Sequence, residues 1–213
     1  MIPDPSTLAV FTAAALLLLV VPGPAVLYIV ARCIDQGRMA GFVSILGISV
    51  GTLFHVAAAA FGLSAILVSS ALAFNVVKYL GAAYLIYLGI QKLTSRDDAE
   101  QPQATEPAAL SKIFYEGMIV NLLNPKTALF FFAFLPQFVD VSQGSIAGQI
   151  LVLGFLFVIL AVVTDSAYAV LANTLADWLK ARPGFFRGQR YFAGTVFIAL
   201  GVATAFSGSG KNK

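Results

Sequence analysis

The chain has 213 residues, of which 59% are hydrophobic and only 11% are charged, and its mean hydropathy is +0.89. Soluble domains carry about 25% charged residues, so this composition excludes a soluble globular domain and predicts an integral, all-α membrane protein. The formal net charge of +3 does not require a nucleic-acid partner, because excess Lys and Arg mark the cytoplasmic loops of membrane proteins. The single cysteine, Cys33, excludes an internal disulfide and a cysteine-cluster metal site.

The first half of the chain, residues 1–93, is predicted to contain three membrane spans. The first extends from about Ser6 to Val30, because no charged residue occurs between Asp4 and Arg32 and about 20 apolar residues cross a bilayer. No Lys or Arg precedes Arg32, so the segment lacks the basic region of a signal peptide and is predicted to be a retained helix. The second and third spans are predicted at Met39–Val68 and Ala71–Leu93, with a turn at Ser69 and Ser70.

A polar segment, residues 94–110, separates this half from residues 111–213. It combines several charges with two prolines and is predicted to be a solvated cytoplasmic linker. The fourth to sixth spans are predicted at Ile113–Val139, Ile146–Leu175 and Tyr191–Phe206, with a basic loop at Lys180–Arg190. The prediction is therefore one membrane domain of about six helices, in which an odd number of spans per half inverts the second half relative to the first.

The distribution of Lys and Arg predicts the orientation. The loops after the first, third and fifth spans hold nine of them, against three on the other side of the membrane. The loop after the first span, residues 32–38, is predicted to be a polar turn. Because cytoplasmic loops carry the excess of basic residues, both termini are predicted to lie outside the cytoplasm.

Proline interrupts one span in each half. Pro22, Gly23 and Pro24 lie inside the first span, and Pro125 follows Asn124 inside the fourth. Proline lacks a backbone N–H and clashes with the preceding turn, so both helices must break or kink. Paired interruptions at corresponding positions of inverted halves indicate the binding site of a transporter. The alternative is that both prolines only shape the helix bundle.

A polar cluster accompanies the second interruption. Lys126 follows Pro125 directly, and thirteen uncharged residues separate it from Asp140. A lysine at that depth costs roughly 2.5–3.5 kcal/mol on insertion scales, so it is expected to face a partner, a cavity or a substrate. Asn121 and Asn124 lie three residues apart on one helix face, and their amides both donate and accept hydrogen bonds. The alternative is a kinked helix whose lysine snorkels to the interface.

Asp165 is the second charge that is predicted to lie deep in the membrane. Twenty-four uncharged residues separate it from Asp140, and burying its charge is costly. It suits a proton carrier or a ligand for a substrate ammonium, and a structural ion pair with Lys126 is the alternative. His55, the only histidine, is a second candidate for proton coupling, although a lone membrane histidine is more often a packed, hydrogen-bonded residue.

Four glycines, two pairs each spaced by four, lie in and just before the second span. They are Gly37, Gly41, Gly47 and Gly51. Small residues at this spacing let helices approach closely, so the four are predicted to pack helices, either within one subunit or between two subunits of a homodimer. The phenylalanine run at residues 130–134 is predicted to serve packing.

In combination, these motifs resemble those of the LysE family of amino-acid exporters, in particular its RhtB-like homoserine and threonine branch. The first motif is Pro22-Gly23-Pro24 with the four glycines that follow it. The second is Asn121-Leu-Leu-Asn-Pro-Lys126, followed by the phenylalanine run and Phe134-Leu-Pro-Gln-Phe138. The third extends from Arg190-Tyr-Phe-Ala-Gly194 to Phe197-Ile-Ala-Leu-Gly201. Asp165 falls where the family carries an acidic residue, and the motifs together cover almost the whole chain.

The resemblance implies a bacterial inner-membrane protein of six helices that exports amino acids or close derivatives, driven by the proton gradient. We expect the substrate carboxylate to bind Lys126 and the positive helix ends near Gly23 and Pro125. Asn121 and Asn124 would then orient the head group, and Asp165 would take the ammonium or the coupling proton. No Gly-rich loop that ends in Lys-Ser/Thr indicates an ATP site, and no cofactor is predicted.

Other function classes remain open. An exporter of another small solute or of a metal ion is one alternative, but a metal site needs several converging carboxylates or histidines, and only Asp165 and His55 lie at depth. An intramembrane enzyme would need a nucleophile–base pair or metal ligands, which this sequence supplies poorly. We therefore predict a transporter and not an enzyme, with an amino acid and membrane lipid as partners and without metal or nucleic acid.

Overall fold

The computed structural model describes residues 3–63, 71–94, 108–140 and 142–180, together with separate positions between 191 and 206. Within these ranges the chain forms seven helices and no strand, so the predicted all-α fold is confirmed. The predicted turn at residues 69–70, most of the predicted linker at 94–110 and the predicted loop beyond residue 180 lie outside the described residues.

The seven helices are numbered α1 to α7 along the chain. They are α1 Pro5–Val20, α2 Pro24–Gln36, α3 Arg38–Ala58, α4 Ala71–Thr94, α5 Leu110–Leu122, α6 Pro125–Leu129 and α7 Ile146–Lys180. A π-helical turn at Ala59–Leu63 extends α3, and a π-helical turn at Phe130–Phe134 with a 3-10 turn at Leu135–Phe138 extends α6. The described positions between 191 and 206 are also helical, where the sixth span is predicted.

The membrane spans fall into two kinds. Residues Arg38–Gly62 and Ile146–Ala172 are each long and apolar enough to cross a membrane as one helix. The helices α1 and α2 form a pair bent by 52°, and α5 with the extended α6 forms a second pair bent by 48°. Up to four spans therefore lie within the described residues, at the places of the first, second, fourth and fifth predicted spans. The helix α4 coincides with the third.

Both bends occur where the sequence places proline. The helix α1 ends at Val20, and extended residues lead into α2, whose first residue is Pro24. The helix α5 ends at Leu122, and Asn124 in an extended conformation precedes α6, whose first residue is Pro125. Proline suits the first position of a helix, because its missing N–H would have no intrahelical acceptor there. Each proline thus starts a new half-helix after the previous one has ended.

The N-terminus of α1 is capped outside the membrane-spanning segment. Asp4 Oδ1 accepts the Thr7 N–H at 2.9 Å, which satisfies one of the first-turn donors of the helix. Hydrogen bonds from the Ser6 hydroxyl and from Thr7 hold the pKa of the Asp4 carboxyl below its usual range. This carboxylate is therefore used as a cap.

The end of α2 corrects two predictions. Residues 32–38 are predicted to form a polar turn, but α2 continues to Gln36, and the buried Arg32 forms an ion pair with Glu116 on α5. Gly37 then turns the chain with φ of +82°, a conformation that favours glycine. No atom of the described residues lies within 4 Å of the place its Cβ would take, so Gly37 is a turn residue and its predicted role in helix packing is wrong.

The other three predicted glycines lie in close helix contacts. A Cβ on Gly47 would lie 2.1 Å from the Phe114 carbonyl oxygen, and one on Gly51 would lie 2.7 Å from that of Met118. These two glycines therefore let α3 lie directly against the backbone of α5. Gly41 makes a similar contact with a side chain of α2. All three contacts lie within one chain. Helices of the same chain therefore already cover these glycines, which are not available to pack against a second subunit.

Two apolar clusters form the buried core of the described part of the chain. The larger one joins α1, the turns after α6, and α7, and it is rich in phenylalanine: Phe11, Phe130, Phe131 and Phe157 are all buried in it. The rings of Phe130 and Phe157 are 4.5 Å apart, so the phenylalanine run lies in the core. The smaller cluster joins α2, α3 and α7 through aliphatic side chains such as Ile29.

Candidate functional site: a polar cavity between the two helix breaks

A small cavity lies between the two apolar clusters, where the two helix breaks meet. Its volume is about 30 Å³, which is room for about two water molecules. Leu18 and Phe157 contribute to its wall from the side of the larger cluster, and Val26 contributes from the smaller one. Its polar side chains come from both halves of the chain, and they are Thr52, Asn121, Asn124, Lys126, Thr127 and Asp165.

Most of the predicted site residues lie at this cavity. Those that line it are Gly23, Asn121, Asn124, Lys126 and Asp165. Pro22, Pro24 and Pro125 lie at the breaks beside it but do not contribute to its wall. His55, the other candidate for proton coupling, does not line it either.

Lys126, from the second half of the chain, reaches the first break. Its Nζ donates a hydrogen bond to the carbonyl oxygen of Val21, one of the carbonyls that the end of α1 frees. Gly23 makes room for this side chain, because a Cβ there would lie 3.3 Å from Lys126 Cδ. Among the described residues this is the one hydrogen bond of the ammonium, so two of its three N–H donors are available to a ligand.

Side-chain amides order the second break. Asn124 Oδ1 accepts the Lys126 N–H at 3.1 Å and so caps α6. Asn121 Nδ2 donates to the Thr52 hydroxyl at 2.7 Å and to a carbonyl of α3 at 2.9 Å. Asn121 Oδ1 accepts from the Thr127 hydroxyl at 2.9 Å and from Asn124 Nδ2 at 3.3 Å. The Asn121 amide therefore has protein partners at both ends and joins α3 to the break.

Asp165 lines the cavity from α7, and only 5% of its surface is exposed. Within the part of the chain that the structure describes, no hydrogen bond or ion pair reaches its carboxylate. Lys126 is near enough to attract the Asp165 carboxylate electrostatically but does not touch it. The two side chains therefore do not form the direct ion pair that is the alternative interpretation of Asp165. A buried carboxylate without a partner is costly unless a proton or a cation compensates its charge.

His55 lies beside the second break, behind the cavity wall. Its ring is 6% exposed and stacks on Phe131, with the ring centroids 6.2 Å apart. Its Nε2 lies 3.1 Å from the carbonyl oxygen of Asn121. The residue is thus packed and hydrogen-bonded to the backbone at the point where α5 ends.

A half-buried ion pair that the sequence did not predict joins α2 to α5. Arg32 Nη2 donates to Glu116 Oε2 at 2.6 Å, and the Tyr28 hydroxyl donates to the same oxygen at 3.0 Å. Gln36 accepts from Arg32 at 2.9 Å and exchanges two hydrogen bonds with the backbone of Ala108. Tyr28, Arg32 and Gln36 are spaced by four residues and so share one helix face. That spacing is the signal that could have revealed the network.

Comparisons with known proteins agree on one family. A family model described as LysE type translocator matches residues 16–208 of this chain. An uncharacterized membrane protein, YrhP, of Bacillus subtilis (strain 168) is 30% identical over 202 residues, which cover 91% of this chain and 95% of that protein. No solved structure matches the chain significantly.

Two further relatives carry functional names. A homoserine/homoserine lactone efflux protein of Salmonella typhimurium is 31% identical over 184 residues, which cover 86% of this chain and 88% of that protein. A leucine efflux protein of Salmonella choleraesuis is 33% identical over 129 residues, which cover 60% of this chain and 61% of that protein. Both names describe efflux of an amino acid or of a close derivative.

Proposed function

This chain belongs to the LysE type translocator family, and we propose that it exports neutral amino acids or close derivatives by secondary transport. The predicted family is thereby confirmed, and since its members are transporters, the chain is a transporter and not an enzyme. One observation carries the proposal: the cavity at the helix breaks presents a carboxylate and an ammonium that do not touch. Two relatives are named for the efflux of homoserine or its lactone and of leucine, which supports the substrate class.

The charges at the cavity suit the head group of a zwitterion. In the proposed complex the substrate ammonium binds Asp165, whose carboxylate has no partner among the described residues. The substrate carboxylate binds Lys126 and the N-terminus of α2, where Gly23 offers no capping side chain and the first N–H groups lack intrahelical acceptors. Ala25 and Val26, in that first turn, line the cavity.

The apolar part of the wall suits a neutral side chain. Leu18, Val26, Ile48 and Phe157 line the same cavity, and each methylene that a substrate buries against them contributes about 0.8 kcal/mol. Asp165 is the one acidic side chain in the described lining. A basic amino acid would use it for its α-ammonium and would find no carboxylate there for its side chain.

Transport requires this cavity to open. A volume of about 30 Å³ holds about two waters and is smaller than any amino acid. The half-helices on either side of each break can tilt separately, because no continuous ladder of backbone hydrogen bonds crosses the break. We therefore place the hinges of the transport cycle at the two breaks.

We assign the driving force to the proton gradient. Asp165 would hold either the substrate ammonium or a proton, so that proton entry and substrate exit alternate at one carboxylate. With a membrane potential of 100 mV, each imported positive charge supplies about 2.3 kcal/mol, which is enough to concentrate a zwitterion more than about tenfold. The protein would act in the bacterial inner membrane as an antiporter, with both termini outside the cytoplasm.

Efflux from proteoliposomes tests the proposal. The purified protein is reconstituted, the vesicles are loaded with labelled leucine, homoserine, homoserine lactone or lysine, and release is measured with and without an imposed proton gradient. We expect gradient-dependent release of the neutral amino acids and little release of lysine. Lys126→Ala and Asp165→Asn should lower this release at least about tenfold, the loss expected when one charge-assisted hydrogen bond is removed.

Matched controls separate the site from general effects of charge removal. Lys112→Ala and Asp140→Asn remove one charge each outside the cavity and are expected to retain release. No release of any amino acid from folded, inserted protein would contradict the proposal and favour another small solute. Release that survives in Asp165→Asn would remove that residue from the mechanism.

A further inference from the structure

Proline deprives one backbone carbonyl of its donor at each of the two breaks. In a continuous helix the carbonyl four residues before a proline has no partner, because proline lacks the N–H. At the first break this carbonyl belongs to Val20, four residues before Pro24, and at the second it belongs to Asn121, four residues before Pro125. A carbonyl in this position within a membrane must find another donor in the protein or face a water-lined cavity.

Each of these carbonyls contacts a side chain from the other half of the chain. The Tyr168 hydroxyl, on α7, donates to the carbonyl oxygen of Val20 at 2.7 Å. His55 Nε2, on α3, lies 3.1 Å from the carbonyl oxygen of Asn121, and since a carbonyl oxygen only accepts, Nε2 carries the hydrogen in this contact. The helix α3 follows the first bent pair and α7 follows the second, so the two contacts are counterparts.

We propose that His55 and Tyr168 are positioning residues that cap the two breaks reciprocally, each from the opposite half. Neither side chain lines the cavity, so both act through the backbone that carries the site. The part of this proposal that concerns transport rests on the proposed function. It gives His55 a role other than the proton coupling for which it is a candidate in the sequence.

The surroundings of His55 suit a capping group that is held in place by packing. The ring is buried between the ring of Phe131, on which it stacks, and that of Phe132, which it meets edge-on. Among the described residues, its Nδ1 has no hydrogen-bond partner. A proton relay from His55 to the cavity would therefore lack its next member among these residues.

The two capped carbonyls differ in the number of hydrogen-bond donors that they have. The Asn121 carbonyl also accepts the Asn124 N–H at 3.1 Å, as α5 tightens into its last turn. For the Val20 carbonyl, the Tyr168 hydroxyl is the one donor within the described part of the chain. Loss of the Tyr168 hydroxyl should therefore have the larger effect.

Double-mutant cycles test the pairing of each cap with its break. Pro24→Ala restores a backbone N–H at the first break, and Pro125→Ala restores one at the second. In the purified full-length protein in detergent, we expect Tyr168→Phe to lower the thermal unfolding midpoint in the wild type and to have little further effect in Pro24→Ala. His55→Leu should show the same coupling with Pro125→Ala. The crossed combinations should couple less strongly than the matched ones, because each cap contacts the carbonyl of one break only.

These double-mutant cycles test reciprocal capping through the thermal unfolding midpoint alone, without any transport measurement. Additive matched pairs, or crossed pairs that couple as strongly as matched ones, would overturn reciprocal capping. Failure of every variant and of the wild type to release amino acids would contradict the proposed function alone.

Efflux then tests the positioning role. His55→Gln keeps a side-chain N–H donor, whereas His55→Leu does not. We expect His55→Leu and Tyr168→Phe to lower the maximal rate of release about threefold to tenfold with an unchanged apparent affinity for substrate. His55→Gln should retain both the rate and the dependence on the proton gradient. Loss of gradient dependence in His55→Gln would show that His55 carries the coupling proton and would overturn the assignment.

Discussion

The helices carry two sets of opposite charges, and the side chains are in contact in one set and apart in the other. Arg32 and Glu116 touch at 2.6 Å, and hydrogen bonds from Tyr28 and to Gln36 complete their surroundings. Lys126 and Asp165 face one cavity at the helix breaks, and no hydrogen bond or ion pair joins them in the described residues. The first set ties α2 to α5, and the second set is held apart by the fold.

The difference separates a structural use of charge from a binding use. A buried pair that is satisfied within the protein has little capacity left for a ligand, and removing one partner exposes the other to the full cost of burial. Two opposite charges held apart around a cavity retain that capacity, and a zwitterion presents the complementary pair. We therefore expect Arg32 and Glu116 to stabilise the fold, and Lys126 and Asp165 to bind the substrate.

Export gives the largest expected difference between the two sets. Asp165→Asn keeps the shape of the side chain but cannot bind an ammonium as an anion or carry the coupling proton, so the initial rate of amino-acid release should fall at least about tenfold. Glu116→Gln, compared at equal amounts of inserted protein, should retain most of the rate. Equal losses in the two variants would erase the proposed division of roles.

Stability should show the reverse order. Glu116→Gln removes the carboxylate that Arg32 contacts at 2.6 Å, and we expect the free energy of unfolding to fall by about 2–4 kcal/mol, below the full cost of a buried pair because Glu116 is partly exposed. Asp165→Asn removes an uncompensated charge and should leave the free energy of unfolding unchanged or higher. Denaturation of the detergent-solubilised variants measures both. A larger loss in Asp165→Asn would contradict the comparison.

The contact between α3 and α5 lies beside both sets and offers a smaller effect. Gly47→Ala places a methyl group 2.1 Å from the Phe114 carbonyl oxygen, and such overpacking should lower the free energy of unfolding by about 1–3 kcal/mol. Gly62→Ala is the matched control, since within the described part of the chain no atom lies within 4 Å of its added Cβ. Denaturation of the detergent-solubilised variants measures this effect as well. Equal unfolding midpoints for Gly47→Ala and Gly62→Ala would refute the close contact between α3 and α5.

The smallest effect is expected where a charge pair is exposed. Lys112 Nζ lies 3.9 Å from Glu116 Oε1, and 68% of its side chain is exposed. Lys112→Ala should change the free energy of unfolding by less than about 0.5 kcal/mol, because solvent screens such a pair. A loss as large as that of Glu116→Gln would mean that Lys112, and not Arg32, is the principal partner of Glu116.

The breaks and the deep charges could be predicted because their causes are local. Pro24 and Pro125 break or kink a helix whatever lies around them, and Lys126 and Asp165 stand out against long apolar stretches of sequence. The cavity that they line follows from paired interruptions in corresponding spans. These features required no knowledge of which helices are neighbours.

What the sequence could not supply are the contacts between helices that are distant in the chain. The sequence around Arg32 predicts a polar turn, because its partner Glu116 lies 84 residues further along the chain and local sequence does not reveal it. Gly37 matches the spacing of Gly41, and only the end of α2 shows that it turns the chain. The donors at the breaks, His55 and Tyr168, are likewise set by packing and not by local pattern.

Substrate protection of a cysteine in the cavity tests the central claim most directly. In a Cys33→Ala background, which removes the single native cysteine, Ala161→Cys places a thiol on the cavity wall. Ala59→Cys places one in the larger apolar cluster, at a position that does not line the cavity. We predict that a small thiol reagent labels position 161 as the cavity opens, that leucine or homoserine slows this labelling, and that position 59 stays unlabelled. Labelling at position 161 that no exported amino acid slows would contradict the claim that the cavity between the breaks is the substrate site.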